Sequence, residues 1–167
     1  MTEQGPPASA LDTDSEYRAA VVDLLAVLAY GELTAFERLA ADAAMAPTID
    51  DKAALAGMAT AEYRHFLVLR DRLASLGVDP QEAMKPFRRA YEEFHTHTAP
   101  SDWLEGLVKA YVGDGIGIDF YREIANFVDE DTRALVVSVC DDMGQSEFIV
   151  ERVRAAINED PRNGGRL

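Results

Sequence analysis

The chain has 167 residues, of which 48% are hydrophobic and 28% charged, and its formal net charge is −14. This length suits one domain with a hydrophobic core, and the negative charge argues against broad binding to nucleic acids or anionic membranes, because phosphate contacts need a positive surface. We recognise no apolar run that approaches the roughly 20 residues of a membrane span and no secretory leader, so we expect a cytoplasmic protein. Cys140 is the single cysteine, which excludes an internal disulfide, and its apolar neighbours predict a buried thiol.

The first half of the chain predicts a tail and two long helices. Residues 1–13 have no hydrophobic periodicity and predict a disordered tail. From about residue 15 to residue 45, apolar residues recur three and four positions apart, as on one face of a helix, and Pro47 ends this helix. A second helix then runs to about Leu76, and Gly77 is a typical C-terminal stop.

Residues 78–100 predict a long crossover between the second helix and the third. Asp79 and Pro80 form a typical helix start, and they open a short amphipathic segment that reaches about Phe94. This segment contains Glu92 and His95, spaced as Glu-x-x-His. Because the pair lies at a helix end beside polar residues, we interpret it as part of a solvated connector.

The second half of the chain predicts two more helices. Ser101 and Asp102 cap the third, and the fourth runs from about residue 132 to residue 158 after a turn at 126–131. Residues 159–167 predict a frayed C-terminal tail. We find no alternating strand pattern, so residues 14–158 predict an all-α antiparallel four-helix bundle with residues 78–100 as its long crossover.

Each predicted helix carries one carboxylate within its apolar face: Glu32, Glu62, Asp114 and Asp142. Burying an unpaired carboxylate costs several kcal/mol, and a shared metal is the most economical partner for four of them. The first two are equally far from Pro47, and the last two are equally far from the second turn, so each pair is level in an antiparallel hairpin. Pairing with core-facing arginines, or an error of one turn in the assigned faces, is the alternative.

The sequence Glu62-Tyr63-Arg64-His65 adds a further candidate ligand. Glu62 and His65 lie on one helix face, so both can aim at one metal ion. The corresponding motif in the second half, which looks like a weak repeat of the first, is Asp142-x-x-Gln145. Four more residues near this level are candidates for supporting the ligands, with ordinary core packing as the alternative for the two tyrosines: Tyr30, Tyr111, Glu37 and Asp119.

Glycines cluster near the same level of the predicted bundle. Each glycine inside a helix costs about 1 kcal/mol relative to alanine, so the cluster needs a reason. Close helix packing and room for dioxygen or a substrate both remain open. The residues are Gly31, Gly113, Gly115, Gly117 and Gly144.

The ferritin-like di-iron carboxylate proteins have a Glu on each of two helices and a Glu-x-x-His motif on each of the other two. The arrangement of carboxylates and motifs in this chain resembles that pattern. The resemblance covers roughly residues 15–158. Within that superfamily the chain looks most like the ferritin-like tRNA hydroxylases, which oxidise a prenylated adenosine in tRNA. The pattern that carries this impression lies on the third helix: Ala110-Tyr111, Asp114 and Asp119-Phe120. The resemblance implies a ferritin-like bundle with a non-haem di-iron centre that activates dioxygen.

The resemblance also implies a division of the ligands between two metals. Glu32, Glu62 and His65 would hold one, and Asp114, Asp142 and Gln145 the other, with Glu62 and Asp142 as possible bridges. The family pattern has Glu-x-x-His on the fourth helix and Glu at the position of Asp114. Glutamine is a weaker ligand for iron than imidazole, so we expect the second position to hold its iron loosely, to take another cation such as manganese, or to stay empty.

Three functions follow as alternatives. The first is an oxygen-activating hydroxylase whose partners are dioxygen and an unknown organic substrate; tRNA is suggested by the resemblance and disfavoured by the net charge. The second is a metal-binding protein without hydroxylase chemistry, and the third is a degenerate bundle that serves as an interaction module. We predict no catalytic residue beyond the metal ligands, and a homodimer is implied by resemblance alone.

Overall fold

All regular secondary structure in the described part of the chain is helical. A computed structural model describes residues 10–142 and 146–167, with the backbone only at positions 12, 13, 142 and 146. The α-helices are α1 (Ala10–Thr13), α2 (Ser15–Met45), α3 (Ile49–Ser75), α4 (Pro80–Met84), α5 (Arg88–His97), α6 (Trp103–Ile124), α7 (Glu130–Asp142), α8 (Ser146–Glu159) and α9 (Arg162–Arg166). Short 3₁₀ turns at Lys85–Phe87 and Ala125–Phe127 join α4 to α5 and follow α6. The all-α bundle predicted from the sequence is confirmed.

Helices α2 and α3 form a closely packed antiparallel hairpin whose ends are set by local capping. The Asp14 carboxylate accepts hydrogen bonds from two backbone N–H groups of the first turn of α2, and the Thr48 hydroxyl accepts one from the Asp51 N–H at the start of α3. Gly77 ends α3 in the left-handed region, at φ 73°, where glycine has no steric cost. The short connection through Pro47 holds the two helices side by side.

The hydrophobic core consists of two clusters along this hairpin. One contains Leu25 and Leu28 of α2 with Leu69 and Leu73 of α3, and parts of α7 pack against it. The other contains Leu39, Leu55, Leu107 and Ile149, toward the opposite end of the hairpin. Between them α2 and α3 place polar side chains, so the apolar core is interrupted at mid-height.

Helix α2 corrects the expectation that no segment approaches a membrane span. By length and composition alone, Ser15–Met45 is apolar enough to cross a membrane. Core helices of helical bundles pass the same test. Here many of its apolar residues, including Leu25 and Leu28, are buried in the first cluster.

The crossover and the two ends of the chain contain more helix than the sequence predicts. In the crossover, α5 packs on α2, where the Tyr91 and Tyr30 rings meet edge to face with 5.5 Å between centroids. Of the predicted tail 1–13, residues 1–9 lie outside the described part of the chain. Ala10–Thr13 are helical, and Leu11 is buried.

The C-terminal half also differs from the prediction in its details. The predicted fourth helix is described as α7 and α8, on either side of residues 143–145, which lie outside the described part. The tail 159–167, predicted to fray, includes α9. It is held by Arg166, whose guanidinium lies 2.7 Å from the Asp102 carboxylate and 2.8 Å from that of Glu105.

Candidate metal centre

Three buried side chains converge where the core is interrupted. Glu32 comes from α2, and Glu62 and His65 come from α3, one turn apart on the face toward α2. Their relative exposures are 4%, 4% and 5%. The Nδ1 atom of His65 lies 3.3 Å from Glu32 Oε2 and 3.8 Å from Glu62 Oε2, and one ligand atom from each of the three lies within 4.8 Å of the others.

The level of these residues follows from the hairpin. Glu32 and Glu62 are equally distant from the Pro47 turn, and a short connection between antiparallel helices keeps such positions opposite each other. The heptad-like spacing that buries leucines on both sides of this level buries the two carboxylates as well. The sequence therefore encodes a polar layer inside an otherwise apolar hairpin.

Burial makes this layer electrostatically unusual. Desolvation raises the pKa of the Glu32 carboxyl to about 8, the hydrogen bond with His65 partly opposes this, and the neighbouring Glu62 carboxyl adds to it. A cation placed among the three groups would reverse the effect, because it favours the ionised carboxylates. Two carboxylates and an imidazole also form a donor set that suits iron and manganese, so these residues fit the kind of metal that the resemblance implies.

Asp114 extends the acidic layer from α6. Its side chain is partly buried, and its pKa is raised to about 7, first by desolvation and then by the negative charge of Glu62. Asp114 lines the same cavity as Glu32 and Glu62, but its carboxylate does not belong to the group of ligand atoms that lie within 4.8 Å of one another. The other two ligands implied for a second metal, the side chain of Asp142 and the whole of Gln145, lie outside the described residues.

An apolar cavity of about 360 Å³ opens from this layer between α2, α5 and α6. The carboxyl-bearing residues Glu32, Glu62 and Asp114 line one part of it, and apolar side chains such as Leu39 and Phe94 line much of the rest. A cavity of this volume falls in the range of small-molecule sites. The arrangement brings a candidate metal group and a space for an organic ligand together.

A comparison with protein families identifies the architecture. A family model described as "Ferritin-like domain, actinomycetes" matches residues 15–167, nearly the whole chain. The chain belongs to this ferritin-like family. No curated protein matches the sequence, and the likeness to tRNA hydroxylases stays a prediction.

The four residues predicted to support the ligands lie at or near the surface of this ferritin-like domain. Tyr111 is 47% exposed, Glu37 and Asp119 are exposed, and Tyr30 is half-buried against α5. The prediction that Tyr111 faces inward is wrong. The buried side of α6 runs through Gly106 and Leu107 toward Asp114, and Tyr111 falls at its edge.

Two tyrosines that the sequence analysis did not assign lie beside the candidate metal layer of the ferritin-like domain, which consists of Glu32, Glu62 and His65. Burial is the main cause of the raised pKa of both Tyr91 and Tyr121, and the charge of Glu32 contributes to both shifts. The Tyr91 hydroxyl also approaches the Val27 carbonyl at 3.3 Å. A β-carbon at Gly31 would lie 2.7 Å from the Tyr91 hydroxyl oxygen. The glycine next to Glu32 was therefore the one feature of the sequence that could have indicated a side chain packed closely against α2 at this level.

The two residues of the second Glu-x-x-His pair, Glu92 and His95, differ in their environment. Glu92 is exposed and pairs with Arg88 at 2.6 Å. His95, however, is half-buried and lines the cavity, and its pKa is lowered to about 4 by burial, with contributions from Lys109 and Arg38. The prediction of a solvated connector is wrong for His95, because α5 lies against the bundle.

Proposed function

We propose that the protein is a non-haem iron protein that uses dioxygen to oxidise a small, largely apolar organic molecule. The observation that carries the proposal is the buried group of Glu32, Glu62 and His65, of which Glu32 and Glu62 line the 360 Å³ cavity. A buried metal site without an adjacent cavity would suit storage or structural roles. A metal layer that faces an organic-sized cavity suits oxidation of a bound substrate.

The residues have distinct tasks in this proposal. Glu32, Glu62 and His65 would hold the metal, and Asp114, which lines the same cavity, would share in binding it. Bound iron would supply the electrons that reduce dioxygen. Because burial raises the pKa of Glu32 to about 8, metal binding near neutral pH releases its proton. Apolar walls of the cavity hold the substrate and exclude water.

The cavity argues for a small molecule over tRNA. Its volume of about 360 Å³ corresponds to about twelve non-hydrogen atoms if each takes the volume of a water molecule. A prenyl group would fit this space, but the net charge of −14 opposes docking of a polyanion around it. We therefore favour a free organic substrate.

The second candidate function is metal binding without oxidation of an organic molecule. It is favoured by one feature of the sequence, Gln145 in place of the histidine that ferritin-like di-iron proteins carry on the fourth helix. A centre with one intact half would bind a single metal. It would lack the second metal that shares the reduction of dioxygen.

Metal content separates the two candidates. The full-length protein is loaded with ferrous iron without oxygen, desalted, and measured by elemental analysis, beside His65→Ala and the control His97→Ala. We expect about two irons per chain for the first candidate and about one for the second, with loss in His65→Ala and retention in the control, whose histidine is exposed. Iron that remains in His65→Ala, or no iron in the wild type, would contradict both candidates.

A substitution of Gln145 tests the second metal position. Gln145→His restores the imidazole of the family pattern, so we expect it to strengthen binding of the weaker metal by about tenfold or more. Isothermal titration with manganese, which avoids oxidation, measures the effect. An unchanged affinity would mean that residue 145 does not face the metal layer.

A further inference from the structure

Four ionisable groups gather in the part of the cavity away from the metal layer. Arg38 and Asp42 come from α2, His95 from α5, and Lys109 from α6, and all four line the cavity. The positive charges of Lys109 and Arg38 affect the pKa values of both Asp42 and His95. The charges of Asp42 and Arg38 in turn affect the pKa of Lys109. With His95 neutral, the group carries two positive charges and at most one negative charge.

The cationic side of this group has unused hydrogen-bonding capacity. The Lys109 Nζ atom and both ring nitrogens of His95 are buried and have no hydrogen-bond partner within residues 10–142 and 146–167. Lys109 lies over the Phe94 ring, 5.6 Å from its centroid, and no ion pair within 4.0 Å joins it to Asp42 among the described residues. Burying an ammonium group without hydrogen bonds is costly, so this arrangement favours an anion in the cavity.

We propose that Lys109 and His95 bind the anionic head of a small amphipathic carboxylic acid whose apolar body fills the cavity toward Glu32 and Asp114. That this acid is the substrate rests on the function proposed above. The Lys109 ammonium and a ring N–H of His95 donate hydrogen bonds to the carboxylate, and partly exposed Arg38 adds positive charge. A monoanion is favoured over a phosphate dianion, because the buried carboxyl of Asp42 lies in the same group.

The dimensions of the cavity agree with such a ligand. Lys109 and Asp114 are five residues apart on α6, which is about 7.5 Å along the helix axis. Arg38 and Glu32 are six residues apart on α2, about 9 Å along its axis. A carboxylic acid of about twelve non-hydrogen atoms, the capacity of the cavity, spans this distance with its chain beside the metal layer.

Calorimetric titration of the full-length protein with decanoate, decanol and decyl phosphate tests the proposal. The variants are Lys109→Met, which keeps length and removes charge, and the matched control Lys52→Met at an exposed position of α3. A charge-assisted hydrogen bond corresponds to about tenfold to hundredfold in affinity. We expect decanoate to bind that much more tightly than decanol, and more tightly than decyl phosphate. Lys109→Met should erase this preference while decanol binding, which reports an intact cavity, stays unchanged.

The outcomes separate this site from the proposed function. Equal binding of decanoate and decanol by the wild type, or an unchanged preference in Lys109→Met, overturns the carboxylate site even if the protein binds iron. Tighter binding of decyl phosphate overturns the assignment of a monoanionic head. A decanoate preference that depends on Lys109 in protein stripped of metal by a chelator supports the site, even if iron-loaded protein then fails to oxidise decanoate and the proposed function is lost.

Discussion

Replacing Glu32 by glutamine should change how the stability of the metal-free protein depends on pH. The pKa of Glu32 is raised from 4.5 to about 8, chiefly because the carboxyl is buried. The folded state therefore binds this proton more tightly than the unfolded state, and stability contributed by the protonated group is lost as pH rises from about 4.5 through about 8. The rise in pKa corresponds to at most about 5 kcal/mol. The glutamine side chain has nearly the same shape as that of glutamate, but its amide does not ionise.

The assay is thermal unfolding in the presence of a chelator at pH 5, 7 and 9. A loss of about 5 kcal/mol would lower the Tm of the wild type by roughly 10 to 20 °C in a domain of this size, and Glu32→Gln should lack this part of the decline. Glu37→Gln on the same helix is the matched control, because its side chain is 55% exposed. At pH 7, manganese should raise the Tm of the wild type and of the control, but not that of Glu32→Gln.

Parallel Tm curves for the wild type and Glu32→Gln would refute this reasoning, since the titration of Glu32 would then contribute nothing to stability. A manganese response that survives in Glu32→Gln would show that this carboxylate is not needed to hold a metal. The comparison with the variant removes the contribution of the titrating groups that do not interact with Glu32, and it retains that of Glu32 together with its neighbours Glu62 and His65.

Two further predictions concern hydrogen bonding and packing. The buried Asp129 carboxylate accepts hydrogen bonds from the Thr132 N–H at the start of α7 and from the Tyr17 hydroxyl, each at 3.0 Å. Asp129→Ala should therefore lower the free energy of unfolding, measured in urea, by about 2 to 3 kcal/mol. A loss smaller than that caused by an alanine substitution at an exposed position would contradict this prediction. A β-carbon at Gly106 would lie 2.9 Å from the buried carboxyl carbon of Asp42, whereas at position 113 it would meet nothing within 4 Å. Gly113→Ala should therefore stabilise the folded protein by about 1 kcal/mol, and Gly106→Ala should destabilise it by about 1 to 2 kcal/mol. Equal effects of the two substitutions on the free energy of unfolding would show that Gly106 and Asp42 are not in close contact.

The bounds of α2 and α3 and the common level of the three candidate ligands could be predicted because they depend on short-range interactions. Capping hydrogen bonds at Asp14 and Thr48 form within three residues along the chain, so the sequence contains both partners. The convergence of Glu32 and Glu62 needed only a short turn at Pro47 and the regular rise of two helices. For the same reason, the all-α bundle followed from periodicity.

The environment of α5 and α6 could not be predicted in this way. The burial of a given side of a helix depends on which distant segments pack against it, and the Tyr91 hydroxyl meets the carbonyl of Val27, 64 positions away. The sequence pattern therefore assigned Tyr111 to the interior and His95 to solvent, and both assignments were wrong.

By itself, then, the sequence determined the long helices, the register of the α2–α3 hairpin and a polar layer at Glu32, Glu62 and His65, because these follow from local hydrogen bonds and helix geometry. Only the tertiary structure decided that α5 closes over the bundle and that a cavity lies beside the layer. It also decided that Lys109 and His95 turn toward that cavity. Cavities and buried ionisable groups arise from the packing of segments far apart in the chain, and the balance between desolvation and charge that sets their pKa values exists only once those segments meet.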